Sequence, residues 1–131
     1  MTSWDDSRQA YADAAGWFVS TVGSVGARWA EPGLGEWDVR ALVGHTSRSF
    51  VTVETYLAQP AANVDIASTA DYYRATRVAA TGAGVAQRGR DAADALGPDP
   101  TAAVTVAHSS SVSSIVSASR SATSRYGMTS R

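Results

Sequence analysis

Residues 37–60 read WDVRALVGHTSRSFVTVETYLAQP, and this stretch decides the fold that the sequence predicts. Asp38 is a suitable helix N-cap, and Trp37 directly before it can pack onto the first helical turn. Apolar side chains then recur every three or four positions, which is the spacing of one helix face. The helix should end before Pro60, because a residue that precedes proline disfavours helical backbone. This face consists of Val39, Leu42, Val43, Thr46, Phe50, Val53 and Leu57.

An amphipathic helix is also predicted ahead of this segment. Residues 3–6, Ser-Trp-Asp-Asp, have the form of a capping box, with acids where the helix dipole favours them. Gly16, Gly23 and Gly26 lower the helix propensity, but small residues also permit the close approach of a neighbouring helix. Pro32 and the glycines beside it end the pattern, and the short connection predicts antiparallel packing of the two helices. The apolar face of the first helix comprises Tyr11, Ala14, Ala15, Phe18, Val22, Val25 and Trp29.

Two further segments follow a loop at residues 60–67. A third helix is predicted from about Ser68 to Leu96, with Gly97 in the C′ position. Asp99 and Pro100 suit the N-cap and the first position of another helix. After Thr101 the pattern leaves two interpretations open, since Val104-Thr105-Val106 alternates as a strand does. The helical alternative places four residues on one face, namely Val104, His108, Val112 and Ile115.

Composition limits the classes of protein. The 131 residues suit one domain, and the formal charge of −1 argues against a general nucleic-acid footprint. Cysteine is absent, which excludes disulfides, thiolate metal sites and a cysteine nucleophile. No apolar run reaches the length of a membrane span, and the first ten residues have no hydrophobic signal core. The expectation is a cytoplasmic protein that binds neither nucleic acid nor membrane.

The two halves of the chain differ in character. All four tryptophans lie before residue 73, and large aliphatic side chains become sparse after it. Residues 109–131 contain ten serines and no acid. A segment so poor in large apolar residues has little to offset its ordering entropy. Composition therefore predicts a helical domain over residues 1–106 and a serine-rich tail over 107–131, a polar helix that passes into disorder.

Familiar catalytic motifs are missing from the sequence. It contains no phosphate-binding glycine loop, no Gly-x-Ser-x-Gly and no His-Glu-x-x-His. Residues 82–84, Gly-Ala-Gly, follow a helical pattern instead of a strand, so they are a weak nucleotide signal. Neither histidine has a His, Asp or Glu three or four positions away, which is the spacing of a helical metal pair.

One segment is more specific. Residues 32–45, PGLGEWDVRALVGH, resemble the hallmark of the mycothiol-dependent maleylpyruvate isomerase family, in its metal-binding N-terminal domain. This family belongs to the damage-inducible (DinB-like) four-helix bundles. Its pattern is a small turn, a tryptophan, a polar cap, Val-Arg-x-Leu and a histidine one turn later. Residues 86–100 are similar to the end of the family's third helix, and the resemblance covers roughly residues 5–106.

The resemblance implies a metal site and a thiol cofactor. In the family, the histidine that matches His45 is a ligand of a divalent metal, usually taken as zinc. The remaining ligands come from a later helix, as a carboxylate or histidine followed four residues on by histidine. Bound metal would lower the pKa of the mycothiol sulfur and create a thiolate nucleophile. Here nothing after residue 101 supplies that pair, so the resemblance implies an incomplete bundle without the last ligand-bearing helix.

Each candidate site residue also has a structural interpretation. His45 lies on the flank of its helix face and suits either a metal ligand or a hydrogen-bonded boundary residue. His108 suits a solvated or capping residue better than a substitute ligand. Glu54 lies half a helical turn around from His45 and is a poor co-ligand. Glu36 and Asp38 suit the start of a helix, and the tryptophans Trp17, Trp29 and Trp37 are expected to fill a core.

Two functions follow from these observations. The first is thiol-dependent isomerase or transferase chemistry at a metal bound by His45, with activity weakened or lost. The second is a non-catalytic helical interaction module, a remnant of that family. A bundle that lacks one helix exposes an apolar strip, which predicts a homo-oligomer. A site shared between two subunits, each contributing His45, would reconcile the two functions.

Overall fold

A computed structural model describes residues 3–59, 61–80 and 84–126, and it describes the side chains of all of these except 78–80 and 119–126. Within these ranges the fold is all-α and contains no β-strand. A short 3-10 helix at Arg28–Ala30 separates the first two α-helices. The five α-helices are α1 (Trp4–Gly23), α2 (Val39–Leu57), α3 (Thr69–Ala80), α4 (Gly84–Ala95) and α5 (Pro100–Tyr126).

The helix ends follow the predicted capping residues. Ser3 and Asp6 form a reciprocal capping box, in which each side chain accepts a hydrogen bond from the backbone N–H of the other. Asp38 caps α2 by accepting from the N–H of Ala41 at 2.7 Å. Gly97 adopts a φ of +67° after α4, and Asp99 then accepts from the N–H of Ala102 at 3.0 Å. The structure therefore confirms the predicted caps. Such caps are predictable because they depend only on residues that are close in sequence.

The helices pack in the order α1, α5, α2, α4. Helix α2 lies along both α4 and α5, whereas α1 lies along α5. The sequence predicts that α1 packs directly along α2. This prediction is wrong, because the main packing partner of α1 is α5. Helices α1 and α2 meet through the rings of Phe18 and Phe50, whose centroids are 5.9 Å apart. Because α5 occupies the position beside α1, the backbones of α1 and α2 remain further apart.

The serine-rich segment supplies the fourth helix of the bundle. Helix α5 continues across residue 106, so the predicted domain boundary falls inside one helix, and residues 107–126 are helical. Val104 and Ser111 are fully buried, and Ile115 is 6% exposed. Their spacings of seven and four place them on one helix face, while the other serines between residues 109 and 117 occupy mostly exposed positions. The expectation of a bundle without a fourth helix is thus wrong, because spacing and not average composition decides burial.

The core lies between α1, α2 and α5. Its buried members are Ala15, Val22, Val43, Phe50 and Val104. Helix α3 is mostly exposed, with only Asp71 and Thr76 half-buried among its described side chains. The predicted third helix from Ser68 to Leu96 corresponds to α3 and α4, and residues 81–83 between them, including Gly82 and Ala83 of the Gly-Ala-Gly motif, lie outside the described residues.

Candidate functional site

The loop before α2 is closed on itself by backbone hydrogen bonds. The N–H of Gly33 donates to the carbonyl of Trp37 at 2.8 Å, and the N–H of Val39 donates to the carbonyl of Glu31 at 2.9 Å. A Cβ atom on Gly33 would lie 2.8 Å from the carbonyl oxygen of Asp38, so this tight turn requires glycine. The loop therefore holds Trp37 in a fixed position at the start of α2.

Trp37 joins this loop to α4. Its indole Nε1–H donates to the carbonyl of Ala86 at 3.0 Å. Its ring covers Gly89 so closely that a Cβ atom there would lie 2.6 Å from the ring. A partly buried tryptophan with its N–H satisfied at the edge of the core is the usual arrangement for this residue. Trp37 thus fixes the position of α4 against the start of α2.

Two further contacts hold α2 against α4. A Cβ atom on Gly44 would lie 2.5 Å from the backbone nitrogen of Ala93, so the two helices approach through this glycine. Arg40 donates from Nη2 to the carbonyl of Gly97 at 2.6 Å, just beyond the end of α4. Since residue 40 meets 97 and residue 44 meets 93, the two helices run antiparallel. Most of the residues in segment 32–45 therefore have a structural role.

His45 differs from these residues in having an unsatisfied buried atom. Its ring stacks on Trp37 with centroids 4.5 Å apart, and its Nδ1 atom is buried without a hydrogen-bond partner among the described residues. Burial lowers the pKa of His45 below 6.5, and the positive charges of Arg48 and Arg88 lower this pKa further. His45 is therefore a neutral imidazole at pH 7 with one nitrogen that no structural contact explains.

A metal ion does not fit the described surroundings of His45. A neutral imidazole nitrogen is suited to coordinate zinc, but a zinc site within one protein chain typically has three or four protein ligands. Among the described residues, no group of three His, Asp or Glu side chains converges on any point. The arginines Arg48 and Arg88 place positive charge near the imidazole, which would oppose a divalent cation. One chain thus offers at most a single ligand within the part that the structure describes.

The other predicted candidates have separate locations. His108 lies half-buried in the middle of α5 with its ring against Phe50, at a centroid distance of 6.0 Å, so it does not cap a helix. Its half-exposed position is compatible with the predicted solvated residue. Glu36 is exposed in the loop before α2. Trp29 packs against the core, but Trp17 is 77% exposed, which corrects the prediction that it fills the core. Trp17 lies next to the buried face of α1 and not on it.

A polar cluster crosses the core between α1, α2 and α5. The hydroxyl of Tyr11 forms a hydrogen bond with Ser111, which is fully buried. Burial raises the pKa of Tyr11, and the nearby charge of Glu54 raises it further, although the Ser111 hydrogen bond acts in the opposite direction. The Oε1 atom of Glu54 is buried and has no partner among the described residues. Glu54 therefore faces α1, away from the His45 side of α2, in agreement with its predicted direction.

A cleft that no sequence pattern predicts lies over α2, between α4 and α5. This cleft has a volume of about 600 Å³. Arg48 and Arg88 are its two cations, and Asp91 is its one acid. Arg48 lies one helical turn after His45, so its proximity to His45 could have been predicted from the sequence. The proximity of Arg88 to His45 depends on how α4 packs against α2. The remaining lining residues are Ser47, Val51, Thr52, Thr55, Tyr56, Ala92, Ala95, Leu96, Ala103 and Ala107.

The lowered pKa of His45 predicts a loss of stability in acid. A group with a depressed pKa in the folded state contributes stability that is present above the unfolded pKa and is lost as pH falls. The free energy of unfolding should therefore decrease as the pH falls below 6.5. Urea unfolding of wild type and His45→Gln at pH 7.5 and 5.5 measures this dependence, with His108→Gln as the matched control. A pH dependence that is equal in wild type and His45→Gln would contradict the assignment.

Comparison with protein-family models, with curated proteins and with solved structures finds no match for this chain. Among the described helices, none has the length and apolar character needed to cross a bilayer.

Proposed function

We propose that the chain is a divergent member of the mycothiol-dependent maleylpyruvate isomerase family that acts as a helical binding module and not as a metal-dependent enzyme. The all-α bundle and the position of residues 32–45 at the junction of α2 and α4 support this relationship. In this proposal, the segment that resembles the family is kept for its structural role. The isomerase or transferase chemistry of the family is weakened or lost.

The observation that carries this proposal is the environment of His45. Its Nδ1 atom has no partner, but two arginines and no convergent carboxylate or histidine accompany it among the described residues. A catalytic zinc site with three protein ligands and an open position cannot be built from this set. A bound metal is what would supply the thiolate chemistry, and the described residues of a single chain offer no such site to activate a thiol.

A second candidate function rests on the same unpaired nitrogen. Two copies of the chain that each contribute His45 would bring two imidazole ligands to a shared divalent metal, with the remaining positions left to a bound thiol or water. Mycothiol, a small-molecule thiol, would then be the cofactor. This candidate places the protein in the cytoplasm, where low-molecular-weight thiols remain reduced. It requires an oligomer, whereas the binding module does not.

The zinc content of the purified protein separates the two candidates. Untagged protein is incubated with zinc, freed of excess metal by gel filtration and analysed for zinc per chain, alongside His45→Ala and His108→Ala. We expect far less than one zinc per two chains in all three proteins, because a single imidazole binds zinc weakly.

Two results would contradict the binding-module proposal. One zinc per dimer that is lost in His45→Ala and kept in His108→Ala would establish the shared site instead. One zinc per monomeric chain would overturn both candidates, since the metal would then need ligands that neither candidate includes. Measuring the mass in solution by light scattering on the same samples distinguishes these results.

A further inference from the structure

We propose that the cleft between α4 and α5 binds a small organic anion with a hydrocarbon body, such as a medium-chain carboxylate. This site adjoins the His45 region and shares Arg48 and Arg88 with it, but it involves no metal, so the inference goes beyond the proposed function and its test does not use the zinc result. Three features support it: the size of the cleft, the character of its walls and the charge of its polar groups.

The size of the cleft suits a small molecule. Its volume of about 600 Å³ falls inside the range of roughly 300–1,000 Å³ that is typical of ligand pockets. Alanines on α4 and α5 create this space, because side chains of this size cannot fill the gap between the two helices. Those alanines are Ala92, Ala95, Ala103 and Ala107.

The walls of the cleft are predominantly apolar. Val51 and Leu96 add larger aliphatic surface to that of the alanines. The hydroxyls of Ser47 and Thr55 donate to carbonyls of their own helix, at 2.8 Å in each case, so they present little unsatisfied polarity to a ligand. Burial of a hydrocarbon chain against these walls would be favourable in proportion to the apolar area removed from water.

The charged groups of the cleft favour an anion. Arg48 and Arg88 line it, and Asp91 is the one acid in its lining. The Oδ1 atom of Asp91 already accepts a hydrogen bond from Gln87 at 2.7 Å. The lining is therefore net positive in a chain whose formal charge is −1. Arg48 has no ion pair among the described residues, and a guanidinium can bind a carboxylate through two parallel hydrogen bonds.

Calorimetric titration of the full chain with octanoate tests this inference, with octan-1-ol as the uncharged comparison. We expect saturable octanoate binding and at least tenfold weaker binding of octan-1-ol. Arg48→Gln and Arg88→Gln should each weaken octanoate binding about tenfold, since a hydrogen bond to a charged group contributes about 1.5 kcal/mol. Arg74→Gln is the matched control, because Arg74 is exposed on α3, pairs with Asp71 and lies outside the cleft.

A second set of variants tests the apolar part of the cleft. Ala95 and Val51 are exposed residues of its lining, so Ala95→Phe and Val51→Trp fill the space without disturbing the core. Each should abolish octanoate binding while leaving the circular dichroism spectrum unchanged. If one variant fails to fold, the other provides the test.

Several results would overturn the inference. These are an absence of saturable octanoate binding, equal binding of octan-1-ol, and equal weakening by Arg74→Gln and Arg48→Gln. A dimer of wild type that Ala95→Phe converts to monomer would also overturn it, because a second copy of the chain would then occupy the cleft.

Discussion

Substitution of Gly44 by alanine should lower the free energy of unfolding by about 2–3 kcal/mol, the cost of adding a methyl group where no space exists. The new Cβ atom would lie 2.5 Å from the backbone nitrogen of Ala93 and 2.8 Å from the carbonyl carbon of Ala92. These are backbone atoms, so they cannot rotate away as a flexible side chain could. Relief requires α2 and α4 to separate, which also disturbs Trp37 and Arg40. Urea unfolding followed by circular dichroism measures the change.

Gly16→Ala is the matched control for this prediction. A Cβ atom at Gly16 would meet no atom within 4 Å, and this residue lies inside α1. Alanine is better than glycine in a helix interior by roughly 0.5–1 kcal/mol, so this variant should be more stable than wild type. If Gly44→Ala were equally stabilising, α2 and α4 would not approach as closely as described.

Trp37→Ala should lower the free energy of unfolding by about 3 kcal/mol, at the low end for tryptophan because Trp37 is only partly buried. The variant loses the hydrogen bond to Ala86 and the packing over Gly89, and it exposes His45 to water. Since burial is the main cause of the lowered pKa of His45, that pKa should rise toward 6.5. Chemical denaturation and a proton NMR titration of the imidazole measure the two effects.

Trp17→Ala provides the comparison for Trp37→Ala. Trp17 is largely exposed, so its removal should change the free energy of unfolding by less than about 0.5 kcal/mol and leave the pKa of His45 unchanged. Equal destabilisation by the two substitutions would contradict the assigned role of Trp37 as the contact between α2 and α4.

Features that depend on nearby residues could be predicted from the sequence. The caps at Ser3, Asp38 and Asp99 follow from side chains that reach backbone groups three residues away. The packing partners could not be predicted in the same way. Glycines of α1 are expected to permit close helix approach, but the close approach occurs at Gly44, whose contact residue Ala93 lies in another helix far along the sequence.

The C-terminal helix shows why composition was misleading. The abundance of serine predicts a polar tail, because the average hydrophobicity of residues 107–131 is low. Burial in α5 needs only one face, and Val104, Ser111 and Ile115 supply it. Ser111 is compatible with the core because Tyr11 provides a hydrogen-bond partner, and that partner comes from the other end of the chain.

The candidate site was predictable only in part. The resemblance of residues 32–45 identified His45, and the arrangement of α2 explains why this histidine lies beside Trp37. The effect of the Arg88 charge on the pKa of His45 depends on the packing of α4, which cannot be predicted from a local sequence pattern. The cleft between α4 and α5 likewise depends on residues 100–126 forming a helix, and the alternating Val104-Thr105-Val106 pattern left a strand open as the alternative.

The proposal that His45 is not a metal ligand can be tested on its imidazole in the presence of zinc. Nitrogen-15 NMR at pH 7.5, with His108→Gln used to assign the two histidines, reports the protonation and coordination of each ring nitrogen. We expect a neutral His45 ring whose nitrogen shifts do not change when one equivalent of zinc is added. A shift of one His45 nitrogen to the value of a metal-bound imidazole, complete at one equivalent or less, would show that a metal centre survives and would contradict the account.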